Sequence, residues 1–166
     1  MNRKSFLTFF SLLPFLYRCS SEEENMEETT TPPVLSEEET NYQNILESID
    51  TENGYLIADK KVYIHLNHNS FSSLQTEGEF INFYEAGILI LRINEKKIGV
   101  YDHCCPHRGT IGSWTYHNKE FRCGTHGNYF NINGDRVVQC NSNSSSGGLR
   151  SFQSNLYKDL LTVNLS

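Results

Sequence analysis

The chain has 166 residues, 37% of them hydrophobic and 12% aromatic, which suits one domain with a compact core plus an additional segment. Its formal net charge of −6 argues against a nucleic-acid partner. No apolar run reaches the roughly 18 residues that a transmembrane helix needs.

The N-terminus has the order of an export signal. Arg3 and Lys4 are basic, the apolar run FLTFFSLLPFLY follows, and Cys19 comes shortly after it. A dozen apolar residues is too short for a stable membrane anchor. We therefore predict a signal peptide over residues 1–18 that is not part of the folded domain.

The stretch CSSEEEN, which begins at Cys19, resembles the surface-export signal of lipoproteins from the Bacteroidota. By that resemblance Cys19 carries a lipid, and Ser21 with the acids at 22–24 directs the protein to the outer face of the outer membrane. Arg18 departs from the pattern, because the residue before a lipidated cysteine is usually small. The alternative is an ordinary cleaved signal followed by a charged linker.

Residues 19–53 are predicted to be an acidic tether that contains a short helix. Residues 20–35 are mainly Glu, Thr, Ser and Pro, a composition that stays disordered. Ser36 and Glu39 have the spacing of a capping box, and apolar residues follow at helical spacing. These indicate a helix over residues 37–49. It either packs on the domain or stands within the tether.

From Gly54 the pattern becomes that of short strands separated by turns. Such a pattern predicts an all-β sandwich or barrel over residues 54–166. Asn133-Gly134 is a typical hairpin dipeptide between two of the predicted strands. The strand segments are KVYIHLN, FINFYE, ILILRI, KKIGVYD, FRCG, YFNI, RVVQC and LLTVNL.

Two short stretches each combine a cysteine with a histidine. They are Cys105-x-His107 and Cys123-x-x-His126, and together they offer two thiolates and two imidazoles. Such a set can hold one zinc ion tetrahedrally, or a two-iron cluster with the cysteines on one iron and the histidines on the other. Cys104 also lies three residues before His107, so a symmetric zinc-like set that uses Cys104 stays open.

The remaining histidines have no motif context, and we expect them to be surface or loop residues rather than ligands. They are His65, His68, His103 and His117.

The sequences CPHRG and CGTHGNYF resemble the two cluster loops of the Rieske [2Fe–2S] domain, and the likeness extends over about residues 60–165. It implies an antiparallel β-sandwich or barrel with two cluster-binding loops. It also implies that Cys105 and Cys123 ligate the buried iron, whereas His107 and His126 ligate the outer iron. The implied function is one-electron transfer between a donor and an acceptor that the sequence does not name, with no catalytic residue.

Three departures from that family accompany the resemblance. Thr110 and Thr125 occupy the places where some members carry a second pair of cysteines, joined in a disulfide. Asn128 and Phe130 replace the Ser and Tyr that hydrogen-bond the cluster sulfurs in high-potential members. The third loop, which usually contains Gly-Pro, is replaced by the Ser/Gly-rich NSNSSSGGLRS.

Cys104 and Cys140 remain once the lipid and the cluster have taken the other three cysteines. Spare cysteines outside the cytoplasm are often bridged, so we favour a Cys104–Cys140 disulfide over two buried thiols. The predicted protein is thus a lipid-anchored electron carrier or redox component rather than a stand-alone enzyme. The alternative is a surface binding lipoprotein that uses a Rieske-like scaffold with zinc or no metal.

Overall fold

The computed structural model describes residues 35–134 and 136–166. The predicted signal peptide, the lipidation site at Cys19 and the first part of the tether lie outside these residues. The described part forms one compact unit, Leu35–Ser166. Within it, no helix has both the length and the apolar character that crossing a membrane requires.

The described residues form one α-helix, one 3₁₀ helix and twelve strands, which confirms the predicted all-β class. The 3₁₀ helix, Asn69–Gln75, lies between the second and third strands. The other elements are α1 Glu37–Ser48, β1 Tyr55–Ala58, β2 Lys61–His65, β3 Phe80–Phe83, β4 Ile88–Asn94, β5 Lys97–Asp102, β6 Trp114–His117, β7 Glu120–Cys123, β8 Tyr129–Asn131, β9 Val137–Val138, β10 Gly148–Leu149, β11 Gln153–Tyr157 and β12 Leu160–Asn164.

The strands form three sheets that stack as layers. Their orders are β1-β2-β12-β11, β3-β4-β5 and β6-β7-β8-β10-β9. Ile88 and Ile90 of β4 belong to a hydrophobic core shared with the first sheet, the first core. Leu89 and Leu91 belong to a hydrophobic core shared with the third sheet, the second core. Because side chains alternate along a strand, the middle sheet separates two hydrophobic cores. The first core also takes in the 3₁₀ helix.

Helix α1 matches the predicted helix over residues 37–49 and packs on the first sheet. Its cap, the Ser36 hydroxyl, accepts a hydrogen bond from the Glu39 N–H at 3.2 Å. The reciprocal half of the capping box does not form, because the Glu39 carboxylate accepts from Lys158 Nζ at 2.6 Å instead. Tyr42 packs with Leu160 of β12 in a small cluster of its own. Of the two alternatives left open, the helix is packed on the domain.

The Asp159 carboxylate, in the turn before β12, joins α1 to the first sheet. It accepts hydrogen bonds from Tyr42 Oη at 2.6 Å, His65 Nε2 at 3.0 Å and Asn67 Nδ2 at 2.6 Å. Burial raises the pKa of Asp159, but the hydrogen bonds from Tyr42 and His65 outweigh it and the pKa is lowered. The bond to Asp159 in turn raises the pKa of Tyr42 to about 12.

The hairpin predicted at Asn133-Gly134 is wrong. Strands β8 and β9, which flank this dipeptide, do not pair with each other, because β10 lies between them and pairs in parallel with both. The insertion depends on a close approach of two glycine backbones. A Cβ on Gly134 would lie 2.6 Å from the Gly148 Cα, and one on Gly148 would lie 2.9 Å from the Gly134 Cα. Only glycine fits at this contact.

Candidate metal centre

The two Cys-His loops adopt the same five-residue turn although their spacings differ. The first follows β5 and the second begins at the last residue of β7. In each loop the cysteine carbonyl accepts from the N–H four residues later, Gly109 at 2.8 Å and Gly127 at 2.9 Å. In each, the cysteine N–H donates to the carbonyl five residues later, Thr110 at 2.8 Å and Asn128 at 2.9 Å.

The glycine that closes each turn is required by its backbone conformation. Gly109 has φ of +67° and Gly127 has φ of +74°, values that residues with a Cβ rarely adopt. This explains the glycine that directly follows His126 in the sequence. The histidine sits at the third position of the first turn and at the fourth position of the second, which accounts for the unequal spacing.

The four predicted ligands come together as two pairs. Cys105 and Cys123 are buried, with exposed fractions of 0% and 1%, and both belong to the second core. The imidazoles of His107 and His126 meet nearer the surface, with their Nδ1 atoms 3.3 Å apart. His126 is exposed and His107 is half-buried. The sulfur pair thus lies on the buried side and the nitrogen pair on the solvent side.

The two cysteines differ in how readily they ionise. Burial, followed by the hydrogen bond with Cys123, raises the pKa of the Cys105 thiol. At Cys123 burial acts in the same direction but is outweighed by hydrogen bonds from Cys105, Thr125 and Thr110, so its pKa is lowered. The pKa of His107 is lowered by desolvation and by the adjacent His126 and Arg108, which favours the neutral imidazole that binds metals.

Aromatic residues of the second core, Phe121 and Trp114, pack beneath the two Cys-His loops and form what we call the aromatic floor. Phe121 is fully buried, and its ring contacts Trp114 edge-on at 6.2 Å between centroids. The Trp114 indole N–H donates to the His103 carbonyl at 2.9 Å. This hydrogen bond holds the backbone just before the first loop against β6. His103 is a loop residue, one of the two alternatives that we expected, but it is buried, 8% exposed. Its ring faces Asn82 Oδ1 at 3.2 Å.

The Ser/Gly-rich third loop, between β9 and β10, is fastened to the first loop. A disulfide joins Cys104 to Cys140, the pairing favoured in the sequence analysis, with 5.3 Å between the Cα atoms. The Asn141 N–H donates to the Cys105 carbonyl at 3.3 Å, and the Ser142 N–H donates to the Pro106 carbonyl at 2.8 Å. With its sulfur in the disulfide, Cys104 does not join the ligand pairs.

Two threonines contribute to the site in a way that the sequence analysis did not foresee. Thr110 and Thr125 face each other between the loops, with 3.0 Å between their hydroxyl oxygens. The Thr110 hydroxyl also lies 3.7 Å from Cys123 Sγ. Their places, five residues after Cys105 and two after Cys123, are the only signal in the sequence. From the sequence, these places indicate only the absence of a loop-to-loop disulfide.

The chain matches a known protein family. The model of the Rieske [2Fe-2S] domain matches residues 66–153, just over half of the chain. The matched range includes both Cys-His loops and the third loop. No curated protein matches the chain.

Proposed function

The chain belongs to the Rieske [2Fe–2S] domain family, and from this premise we propose that it is a one-electron carrier anchored to the outer membrane through Cys19. Members of the family bind a [2Fe–2S] cluster and have an electron-transfer role. When bound, such a cluster takes up and releases a single electron. The finer proposal concerns which residues hold it, where the protein resides and how it is attached.

The pairing of the side chains carries this proposal. With metal–nitrogen bonds of about 2.1 Å, the 3.3 Å between the Nδ1 atoms of His107 and His126 corresponds to an angle of about 104° at one metal ion. That is close to tetrahedral. The contacting thiols of Cys105 and Cys123 offer the second pair. The donor set therefore fits two irons with two protein ligands each.

A four-ligand zinc site fits this arrangement less well. Within residues 35–134 and 136–166, no three His, Cys, Asp or Glu side chains converge as a single ion would require. Cys104, which the symmetric zinc-like set would need, is bound to Cys140. The two pairs are therefore better suited to the two irons than to one ion.

Each part of the site has a separate task in electron transfer. Cys105 and Cys123 bind on the side of the second core, where the aromatic floor and the third loop exclude water. His107 and His126 bind on the solvent side, where a donor or acceptor can approach. We expect the electron to pass between the site and a partner through the exposed edge of His126.

Metal and sulfide analysis of the purified full chain tests the function. We expect a reddish-brown protein with about two irons and two acid-labile sulfides per chain. Cys105→Ser, Cys123→Ser, His107→Ala and His126→Ala should each lose the visible absorption. His117→Ala, at an exposed position on β6, should keep it and is the matched control. A colourless protein that contains zinc would contradict the proposal and favour the binding lipoprotein.

The anchor and the location rest on the N-terminal sequence. The apolar run, Cys19 and the acids that follow it support a lipidated protein on the outer face of the outer membrane, at the cell surface. The Cys104–Cys140 disulfide supports an oxidising compartment, because disulfides persist outside the cytoplasm.

Mass spectrometry of the mature N-terminus tests the anchor. We expect Cys19 to be the first residue and to carry acyl chains. A Cys19→Ala variant should leave the membrane fraction, and extracellular protease should reach the wild-type protein on intact cells. A mature protein that starts elsewhere and carries no lipid would refute the anchor without touching the electron-transfer function.

A further inference from the structure

The hydroxyls of Thr110 and Thr125 are the polar groups that bridge the two loops beside a ligand sulfur. Thr110 Oγ1 is 3.7 Å from Cys123 Sγ and 3.0 Å from Thr125 Oγ1. The Thr110 backbone is fixed at the same time, because its carbonyl accepts from the Cys105 N–H at 2.8 Å. Thr110 is half-buried and Thr125 is exposed, so the pair runs from the sulfur towards solvent.

The direction of these hydrogen bonds follows from the chemistry of the sulfur. A metal-bound thiolate has no proton and can only accept. The Thr110 O–H must then donate to Cys123 Sγ, which leaves the Thr110 oxygen free to accept. The Thr125 O–H donates to it. Charge on the sulfur thus orders both hydroxyls into one chain, in which the outer bond polarises and strengthens the inner one.

We propose that Thr110 and Thr125 form a hydroxyl relay that stabilises negative charge on Cys123 Sγ and raises the reduction potential of the site. The inference rests on the proposed function. The family resemblance gives Thr110 and Thr125 no role, because it indicates only that a disulfide is absent at their positions. Asn128 and Phe130 occupy the positions of the hydroxyl donors in high-potential members, and neither side chain carries a hydroxyl. Thr110 and Thr125 supply hydroxyl donors from other positions.

The physical cause is the extra electron of the reduced state. Reduction increases the negative charge on the ligand sulfurs, so a hydrogen bond to sulfur is stronger after reduction than before it. The relay therefore favours the reduced form. Removing the inner donor should make reduction less favourable, and removing the outer one should do so to a smaller extent.

The test is the midpoint potential of the loaded full chain, measured by voltammetry. Thr110→Val keeps the side-chain shape and should lower the equilibrium constant for reduction about tenfold, which is about 59 mV for a one-electron couple. Thr125→Val should lower it about threefold, because the inner bond survives. The double valine variant should fall little below Thr110→Val alone, because the Thr125 hydroxyl acts on the sulfur chiefly through Thr110, and the Thr125 backbone bond to Cys123 remains in every variant.

Conservative and distant variants serve as controls. Thr110→Ser keeps the hydroxyl and should stay within about twofold of the parent in this constant. Thr115→Val, at an exposed position on β6, should leave the potential unchanged. Visible circular dichroism and iron content show whether each variant is loaded. If Thr110→Val fails to load, the exposed Thr125→Val still decides the question.

Three results would overturn the relay. An unchanged potential in both single valine variants would show that the hydroxyls do not act on the sulfur. Shifts that add in the double variant would mean two independent donors. If Thr110→Ser shifted the potential as much as Thr110→Val, the change in potential would be caused by altered packing and not by loss of the hydroxyl. A parent protein without iron or visible absorption would instead refute the proposed function, so the two failures are distinguishable.

Discussion

Replacing Cys104 and Cys140 by serine should destabilise the domain and leave the metal centre assembled at room temperature. The disulfide closes a loop across a sequence separation of 36 residues. In the chain-entropy model such a loop contributes about 3.8 kcal/mol at 25 °C, through the restriction of the unfolded chain. For a domain of this size, that corresponds to a fall in Tm of about 10–15 °C.

The assay is thermal unfolding of the loaded protein followed by far-UV circular dichroism, at one fixed scan rate because loss of the metal makes the process irreversible. Cys104→Ser, Cys140→Ser and the double variant should shift by the same amount, because any of them removes the same bond. A reducing agent that opens the disulfide should lower the Tm of the parent and leave that of the variants unchanged.

Two outcomes would refute this reasoning. A shift below about 3 °C in all three variants would mean that the bond does not restrict the unfolded chain as the loop length implies. Loss of the visible absorption in Cys104→Ser with its retention in Cys140→Ser would mean that Cys104 is a ligand. The ligand assignment to Cys105 would then be wrong.

Three further substitutions test the glycine contact beside β10, the carboxylate that joins α1 to the first sheet, and the packing beneath the Cys-His loops. Gly148→Ala should cost about 1–3 kcal/mol in urea unfolding, because its Cβ would meet the Gly134 backbone; Gly112→Ala, whose Cβ finds its nearest neighbour at 3.7 Å, should be near neutral. Asp159→Asn should cost about 1–3 kcal/mol at pH 7. Because the folded pKa of Asp159 is lowered, its contribution to stability is present above the unfolded pKa of about 3.9 and is lost as the pH falls through the folded pKa. The free energies of unfolding of the parent and the Asp159→Asn variant should therefore become equal in acid. Phe121→Ala should cost about 3–5 kcal/mol and release iron, since the ring shares a core with Cys105 and Cys123, the proposed ligands. Full iron retention would show that the Phe121 ring does not support the cysteine pair.

Features that depend on local sequence were predictable. Short apolar or alternating segments predicted eight of the twelve strands of the described residues, but not β1, β6, β10 and β11. Ser36 with Glu39 predicted where α1 begins, because capping and periodicity act within a few residues. The two Cys-His motifs identified the family for the same reason. Each motif is a complete five-residue turn, from its cysteine to its closing glycine, with the histidine between them.

Features that depend on distant segments were not predictable. The dipeptide Asn133-Gly134 has the composition of a hairpin turn, yet β10 inserts between the flanking strands from further along the chain. Local turn chemistry contains no information about a strand that arrives later. The contact of Thr110 with Thr125 likewise exists only because two loops meet in space. The buried position of His103 depends on packing between β3, β5 and the first loop.

The placement of the middle sheet between two cores implies an order of assembly. The second core, which includes Cys105 and Cys123, has β4 as one of its walls, while β4 also closes the first core from the other side. The first core needs no metal ligand, so it can form while the loops are still open. We expect the middle sheet to fold against β2 and β12 first, and the cofactor to enter a scaffold that already exists. Hydrogen exchange measured on the metal-free chain should then show slow exchange for the amides of β4 and β12 and fast exchange for those of β6–β8.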